Sequence, residues 1–255
     1  MPNLTGKVAI VTGCASGIGA ATVRRLRADG AIVLGTDLAE DAGRQLANET
    51  GASFARQDVG DRTAWPAIVA QAVGVHGRLD ILVNNAGMVG GASILETDDA
   101  QWDRVLAVNL TGTMAGCRAA IAAMIANPGG AKGAIVNIAS TTAFTPLPGD
   151  IAYSASKAAV RNLSKAVATW CAQQGYAIRC NTVIPGATDT GILAKGDADM
   201  PGFKAVAAKM SPMNRLADPA ETAAAIAFLA SDECPFMTGA EMLIDGGALA
   251  LHPGL

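Results

Sequence analysis

The chain has 255 residues, 51% of them apolar and only 16% charged, with a formal net charge of −3. Such a length buries a substantial core as one α/β domain, and the scarcity of charge suggests surface hidden in a subunit interface. There is no basic excess, like-charge block or low-complexity tract, which argues against a nucleic-acid partner.

The residues before Val8 lack a basic region leading into a long apolar core, so a secretory signal is not expected. No uninterrupted apolar run reaches the ~18 residues of a membrane span. Cys14, Cys117, Cys171, Cys180 and Cys234 are scattered, odd in number and without zinc spacing. Buried, reduced thiols in a cytoplasmic protein are the expectation. With His76 and His252 the only histidines, a metal site has little material.

In chain order, Val8–Thr12, Ala31–Thr36, Ser53–Gln57, Ile81–Asn84, Ala134–Ala139, Ile178–Ile184 and Met242–Ile244 read as strands. Helical patterns fall at Ile18–Asp29, Asp41–Glu49, Ala64–Val75, Asp98–Asn127, Ser154–Gln174 and Pro219–Ala230, the last announced by Asp218-Pro219. Apolar strands alternating with helices predict a seven-stranded parallel sheet covered on both faces, in one α/β domain over 1–255.

The first strand runs into Gly13-Cys14-Ala15-Ser16-Gly17-Ile18-Gly19 and then a helix. Glycines there could serve tight packing, or could let a diphosphate approach the positive helix end. The spacing is G-x-x-x-G-x-G rather than the common G-x-G-x-x-G. Asp37 closes the second strand, where a carboxylate accepts from a ribose diol and repels a 2′-phosphate. Neither Ser16 nor Leu38 offers a cation for that phosphate, so NAD is favoured over NADP.

Further along, Tyr153 and Lys157 stand four apart on a helix and share a face, after Ser140 at a strand end. An ammonium beside a phenol favours phenolate, so the tyrosine could act as a base; the pair could also be a solvated helix face.

Together these residues resemble the short-chain dehydrogenase/reductase family over essentially the whole chain. Thr12-Gly13-x-x-x-Gly17-x-Gly19 resembles its cofactor loop, Asp58-Val59 its adenine contact, and Asn84-Asn85-Ala86-Gly87 the segment after the fourth strand. Asn109 is similar to its helix asparagine, and Ser140, Tyr153 and Lys157 fall on its catalytic positions. Pro185-Gly186, Thr188 and Thr190 resemble the segment beside the nicotinamide, and Asp245-Gly246-Gly247 its usual ending. The resemblance implies a doubly wound Rossmann-type fold that binds NAD through Gly13, Ser16, Gly17, Ile18, Gly19, Asp37, Asp58, Val59, Asn85, Ala86, Gly87, Tyr153, Lys157, Pro185, Gly186, Thr188 and Thr190. It implies Tyr153 as general base, Lys157 lowering its pKa and holding the ribose, Ser140 orienting the substrate oxygen, and Asn109 holding a water in the proton path. It also implies a homotetramer.

For the substrate, Ile192, Leu193, Met200, Phe203, Val206 and Met210 suggest a mobile lid around 188–213, or ordinary packing. Thr142, Phe144, Leu147 and Met88 could add an apolar wall near Ser140. A hydrophobic secondary alcohol or ketone, cyclic or steroid-like, is therefore expected. The alternatives are a 3-oxoacyl-carrier-protein reductase, disfavoured by Asp37, and a non-catalytic dinucleotide-binding regulator, disfavoured by the intact Ser140, Tyr153 and Lys157.

Overall fold

A computed structural model of the protein describes residues 2–199 and 201–251, and only the backbone of 192, 195 and 199. Its strands are β1 (Val8–Thr12), β2 (Ile32–Asp37), β3 (Ser53–Arg56), β4 (Ile81–Asn84), β5 (Lys132–Ile138), β6 (Ala177–Pro185) and β7 (Glu241–Ile244). Every pairing is parallel and the order is β3-β2-β1-β4-β5-β6-β7. The chain starts in the middle, winds outward through β3, then returns to β1's other side with β4. That reversal between β1 and β4 is where open parallel sheets bind ligands, beyond the carboxyl ends of the strands.

The helices are α1 (Gly17–Ala28), α2 (Glu40–Thr50), α3 (Trp65–His76), α4 (Asp99–Leu106), α5 (Gly112–Ile125), α6 (Ile151–Gln173), α7 (Gly191–Asp199), α8 (Phe203–Ala208) and α9 (Pro219–Ala230). Strand periodicity sorts the core into two layers. Val8 and Ile10 of β1, Leu82 of β4 and Ile135 of β5 face α3, α5 and α6, against Trp65, Ile121, Met124 and Cys171. Ala9, Val11, Val83 and Val136 point the other way, onto Val23 and Leu26 of α1 and Ile226 and Leu229 of α9. The expected two-sided α/β sheet is therefore present. Strands buried on both faces read as unbroken apolar runs because neither side meets water.

Two boundaries bear on the site. The helix expected from Ser154 begins at Ile151, with Asp150 as N-cap accepting from Tyr153 N, so Tyr153 lies in the first turn. The helix expected over Asp98–Asn127 is α4 and α5 joined by a π-helical turn, Ala107–Thr111, which contains Asn109. Among the described residues, this continuous helix alone is long and apolar enough to cross a membrane. Val105, Ala115, Cys117, Ala120, Ile121 and Met124 bury its apolar side, which makes it a core helix here. All five cysteines are free and buried.

Candidate active site

The ends of β1, β4, β5 and β6 open into a cleft of about 370 Å³. It is lined at one end by Gly13, Ser16, Gly17, Ile18 and Asp37, and at the other by Ser140, Tyr153, Lys157 and Leu193. Between them lie Asn85, Ala86, Gly87, Pro185, Gly186, Thr188 and Thr190.

The glycine end is a cradle that side chains would fill. A Cβ on Gly19 would stand 2.6 Å from Asn85 Nδ2 and deep inside the Gly13 carbonyl, and one on Gly13 would stand 2.8 Å from Ala86 Cα. Gly13 also adopts φ +66°, a conformation that costs a residue with a side chain. Ser16 is the N-cap of α1 yet makes no side-chain cap bond, and the first turn holds no acid. The first N–H groups of that helix are left for an anion.

Two side chains hold this cradle to β4. Asn85 Nδ2 donates to Thr12 O at 2.9 Å and to Gly13 O at 3.0 Å. Thr12 Oγ1 accepts from Asn85 N at 3.1 Å and from Ala86 N at 3.0 Å. Asp37 accepts from Ala15 N at 2.9 Å and from Ala39 N at 2.9 Å, so it shapes the loop as well as marking the cleft's end. Glycine cradle, uncapped helix end and terminal carboxylate together fit a dinucleotide: close backbone for the diphosphate, N–H donors for its charge, an acceptor for a ribose.

At the other end, Lys157 is only 4% exposed and its Nζ donates to Ile138 O at 2.9 Å. The same nitrogen lies 5.5 Å from the centre of the Tyr153 ring. Desolvation lowers the Lys157 pKa to about 8. Burial likewise pushes the Tyr153 phenol above its ordinary range; the Ser140 hydroxyl pulls it back down and Asp150 adds to the rise. The net shift of the Tyr153 phenol is therefore upward, although the residue is half-buried and lines the cleft. Desolvation at the base of the cleft penalises both charged forms, and the lysine's hydrogen bond goes to a carbonyl rather than to the phenol.

Asn109 has both polar atoms engaged. Its Oδ1 accepts from Met88 N at 2.9 Å, and its Nδ2 donates to Met88 O at 2.9 Å and Ser156 Oγ at 3.0 Å. The π-helical turn aims it at the segment after Gly87, beside Lys157. Ser140 Oγ accepts from Thr142 N at 3.2 Å and so caps the short turn Thr141–Ala143.

Other expected residues lie off this cleft. Asp58 pairs with Arg104 at 3.0 Å, and Val59 is buried with its carbonyl accepting from Trp65 Nε1 at 3.2 Å. Gly19 packs beneath the loop. Thr142 Oγ1 is buried without a hydrogen-bond partner among the described residues, and Leu147 is exposed. Phe144 is taken up by the Arg161 guanidinium, 3.6 Å from its ring centre. The side chain of Ile192, and Met200 altogether, lie outside the described residues. Sequence reasoning missed Asp150 and Ser156. Pro148-Gly149-Asp150 ahead of an apolar-periodic helix is an N-cap signal that could have found the first.

Residues 13–248 match the sequence profile of the family described as "Enoyl-(Acyl carrier protein) reductase". The chain is 42% identical over 251 residues to cis-4-hydroxycyclohexanecarboxylate dehydrogenase of Sinomonas cyclohexanicum, covering 96% of this chain and 97% of that protein. It is 38% identical over 250 residues to 2,5-dichloro-2,5-cyclohexadiene-1,4-diol dehydrogenase of Sphingobium indicum, covering 96% and 97%. To 3beta-hydroxysteroid dehydrogenase 1 of Eggerthella lenta it is 37% identical over 258 residues, covering 99% and 97%.

Proposed function

Because the chain belongs to the short-chain dehydrogenase/reductase family, we propose that it oxidises a hydrophobic, cyclic secondary alcohol with NAD, using Tyr153 as the base. The observation that carries this reading is that Ser140, Tyr153 and Lys157 meet in one cleft whose far end is Asp37. A nicotinamide dinucleotide, when bound, supplies the hydride acceptor. Tyr153 Oη takes the proton of the substrate hydroxyl while Ser140 Oγ holds the same oxygen. The Lys157 ammonium and the Ser140 hydroxyl favour the phenolate against the cost of burial. Lys157 passes the proton outward past Gly87 and Asn109, whose side chain keeps the segment at Met88 in place. In ketone reduction Tyr153 gives the proton back.

Asp37 supports NAD over NADP, since its carboxylate would repel a 2′-phosphate. The ring-alcohol chemistry named for the relatives supports a cyclic substrate here. Residues 188–213, with α7 and α8, act as a lid over that substrate, and Leu193 supplies an apolar contact. Asp58 and Val59 serve the adenine end. The working form is a cytoplasmic homotetramer; light scattering that gives a stable monomer contradicts it.

Initial rates with cyclohexanols, hydroxysteroids and linear secondary alcohols, each with NAD and NADP at alkaline pH, test the reading. Turnover of ring alcohols with NAD is expected. Inactivity across the panel would sink it.

A further inference from the structure

Asp150 does more than the helix cap requires. It is 6% exposed, and its Oδ1 accepts from Tyr153 N at 3.2 Å. One oxygen suffices for capping, which serine performs equally well. The same carboxylate also accepts from Gly90 N, at 3.2 Å on Oδ1 and 3.0 Å on Oδ2. Gly90 belongs to the segment that leaves the cleft at Gly87. Its carbonyl accepts from Gln101 Nε2 of α4 at 2.9 Å, and Ala92 O accepts from Ile151 N at 3.3 Å. Met88, at the other end, is gripped by Asn109 through both backbone atoms.

We propose that Asp150 is a positioning residue for proton transfer: its carboxylate bolts the 88–92 wall to the helical turn that carries Tyr153. The inference rests on the reaction proposed above. Without the bolt, Gly90 loses its only side-chain acceptor among the described residues, and the wall is tied to the turn that carries Tyr153 by the longer Ile151 N to Ala92 O bond alone among the described hydrogen bonds. The Asp150 charge also opposes phenolate formation at Tyr153. Around this spot Lys157 supplies the cation from α6. The 88–92 segment is Met-Val-Gly-Gly-Ala and the turn after Ser140 is Thr-Thr-Ala, both uncharged. From α4 comes neutral Gln101, while Asp98, Asp99 and Asp103 are exposed. On the next turn of α6, Arg161 is engaged by Glu241.

Two variants separate the roles. Asp150→Ser keeps a cap but is too short to hold Gly90. KM for cyclohexanol should rise and kcat/KM fall about tenfold or more, as for loss of one charge-assisted hydrogen bond, with the NAD Kd unchanged. Asp150→Asn keeps an acceptor oxygen and loses the charge, so the alkaline rise in kcat/KM should move to lower pH. A Tyr176→Phe background leaves Tyr153 the only tyrosine. Its tyrosinate absorbance should then titrate at lower pH in Asp150→Asn, a readout that needs no turnover. If Asp150→Ser does not fold, Asp150→Asn decides. An unmoved tyrosinate titration, or unchanged KM and kcat/KM in a folded Asp150→Ser, overturns the proposal. A shifted titration in protein that turns over no alcohol instead overturns the proposed reaction and keeps the charge of Asp150 at Tyr153.

Discussion

Lys157 is a buried ammonium without a carboxylate partner among the described residues, and that makes a measurable claim about folding. Its pKa stands near 8 in the fold, below the ordinary 10.5, because burial penalises the charge. A folded pKa below the unfolded one means that the unfolded chain holds more protons between these values, so stability rises as pH climbs through that window. Below it the ammonium is charged in both states and the fold carries the whole penalty. At about pH 7 the penalty is on the order of 3 kcal/mol, and by about pH 10 most of it is gone. Lys157→Met removes the titrating group and keeps an unbranched side chain. Urea unfolding of both proteins across this range should show the wild type gaining roughly 2–3 kcal/mol relative to the variant as pH rises. Other titrations are common to both proteins and cancel, save that of Tyr153, which is coupled to Lys157. Lys157→Met should also lose turnover. Parallel pH dependences of stability would refute the reasoning, because the lysine would then be solvated in the fold.

Tyr153→Phe should abolish alcohol oxidation and leave NAD binding within about twofold, since no hydrogen bond of the cradle involves the phenol; near-normal rates would show that another group is the base. Asp37→Ala should raise NADP use relative to NAD, and because Ala15 N loses its acceptor, the absolute kcat/KM with NAD should fall too; an unchanged cofactor preference in steady-state kinetics counts against the assignment. Gly19→Ala should raise the NAD Kd, read by fluorescence titration, by about fivefold or more, as overpacking costs roughly 1–3 kcal/mol. The added Cβ would displace Asn85 or the Gly13 peptide, and wild-type affinity would mean that the loop adapts freely.

Much of this was legible in the residues alone, for identifiable reasons. Strands buried on both faces announce themselves as apolar runs, so β1, β4 and β6 were found within a residue or two. Asp37, Ser140 and Pro185-Gly186 were found because they sit at or just beyond strand ends, where a parallel sheet presents its residues to one edge. Contacts between distant segments were not legible. Nothing local to Asn109 tells that its amide closes on Met88, or that a π-helical turn rotates it there. The start of α6 was misplaced because Ile151 and Ala152 are as compatible with a loop as with a helix. The sign of the Tyr153 shift was also out of reach. Proximity of Lys157 could be read from spacing, whereas desolvation, the largest cause of the rise, depends on how distant segments fold around the phenol.

The two ends of the sheet treat buried charge in opposite ways, and the difference supports the proposed reaction. At the amino end, before β4, Asp80 is 4% exposed and fully satisfied: Arg78 donates to both oxygens, at 2.8 and 2.6 Å, and Val8 N donates at 2.9 Å. That arrangement ties β1 to β4 and leaves the carboxylate no spare role. At the carboxyl end Lys157 is equally buried and, among the described residues, meets a single carbonyl, while Asp150 meets backbone N–H groups only. Stability alone would favour pairing these charges or removing them, because an uncompensated buried charge is costly. Paired, however, Lys157 could not exchange a proton near neutral pH, and Tyr153 would lose the one cation beside it. The amino end therefore uses its buried charge to hold the sheet, whereas in the proposed reaction the carboxyl end keeps its own available for proton transfer.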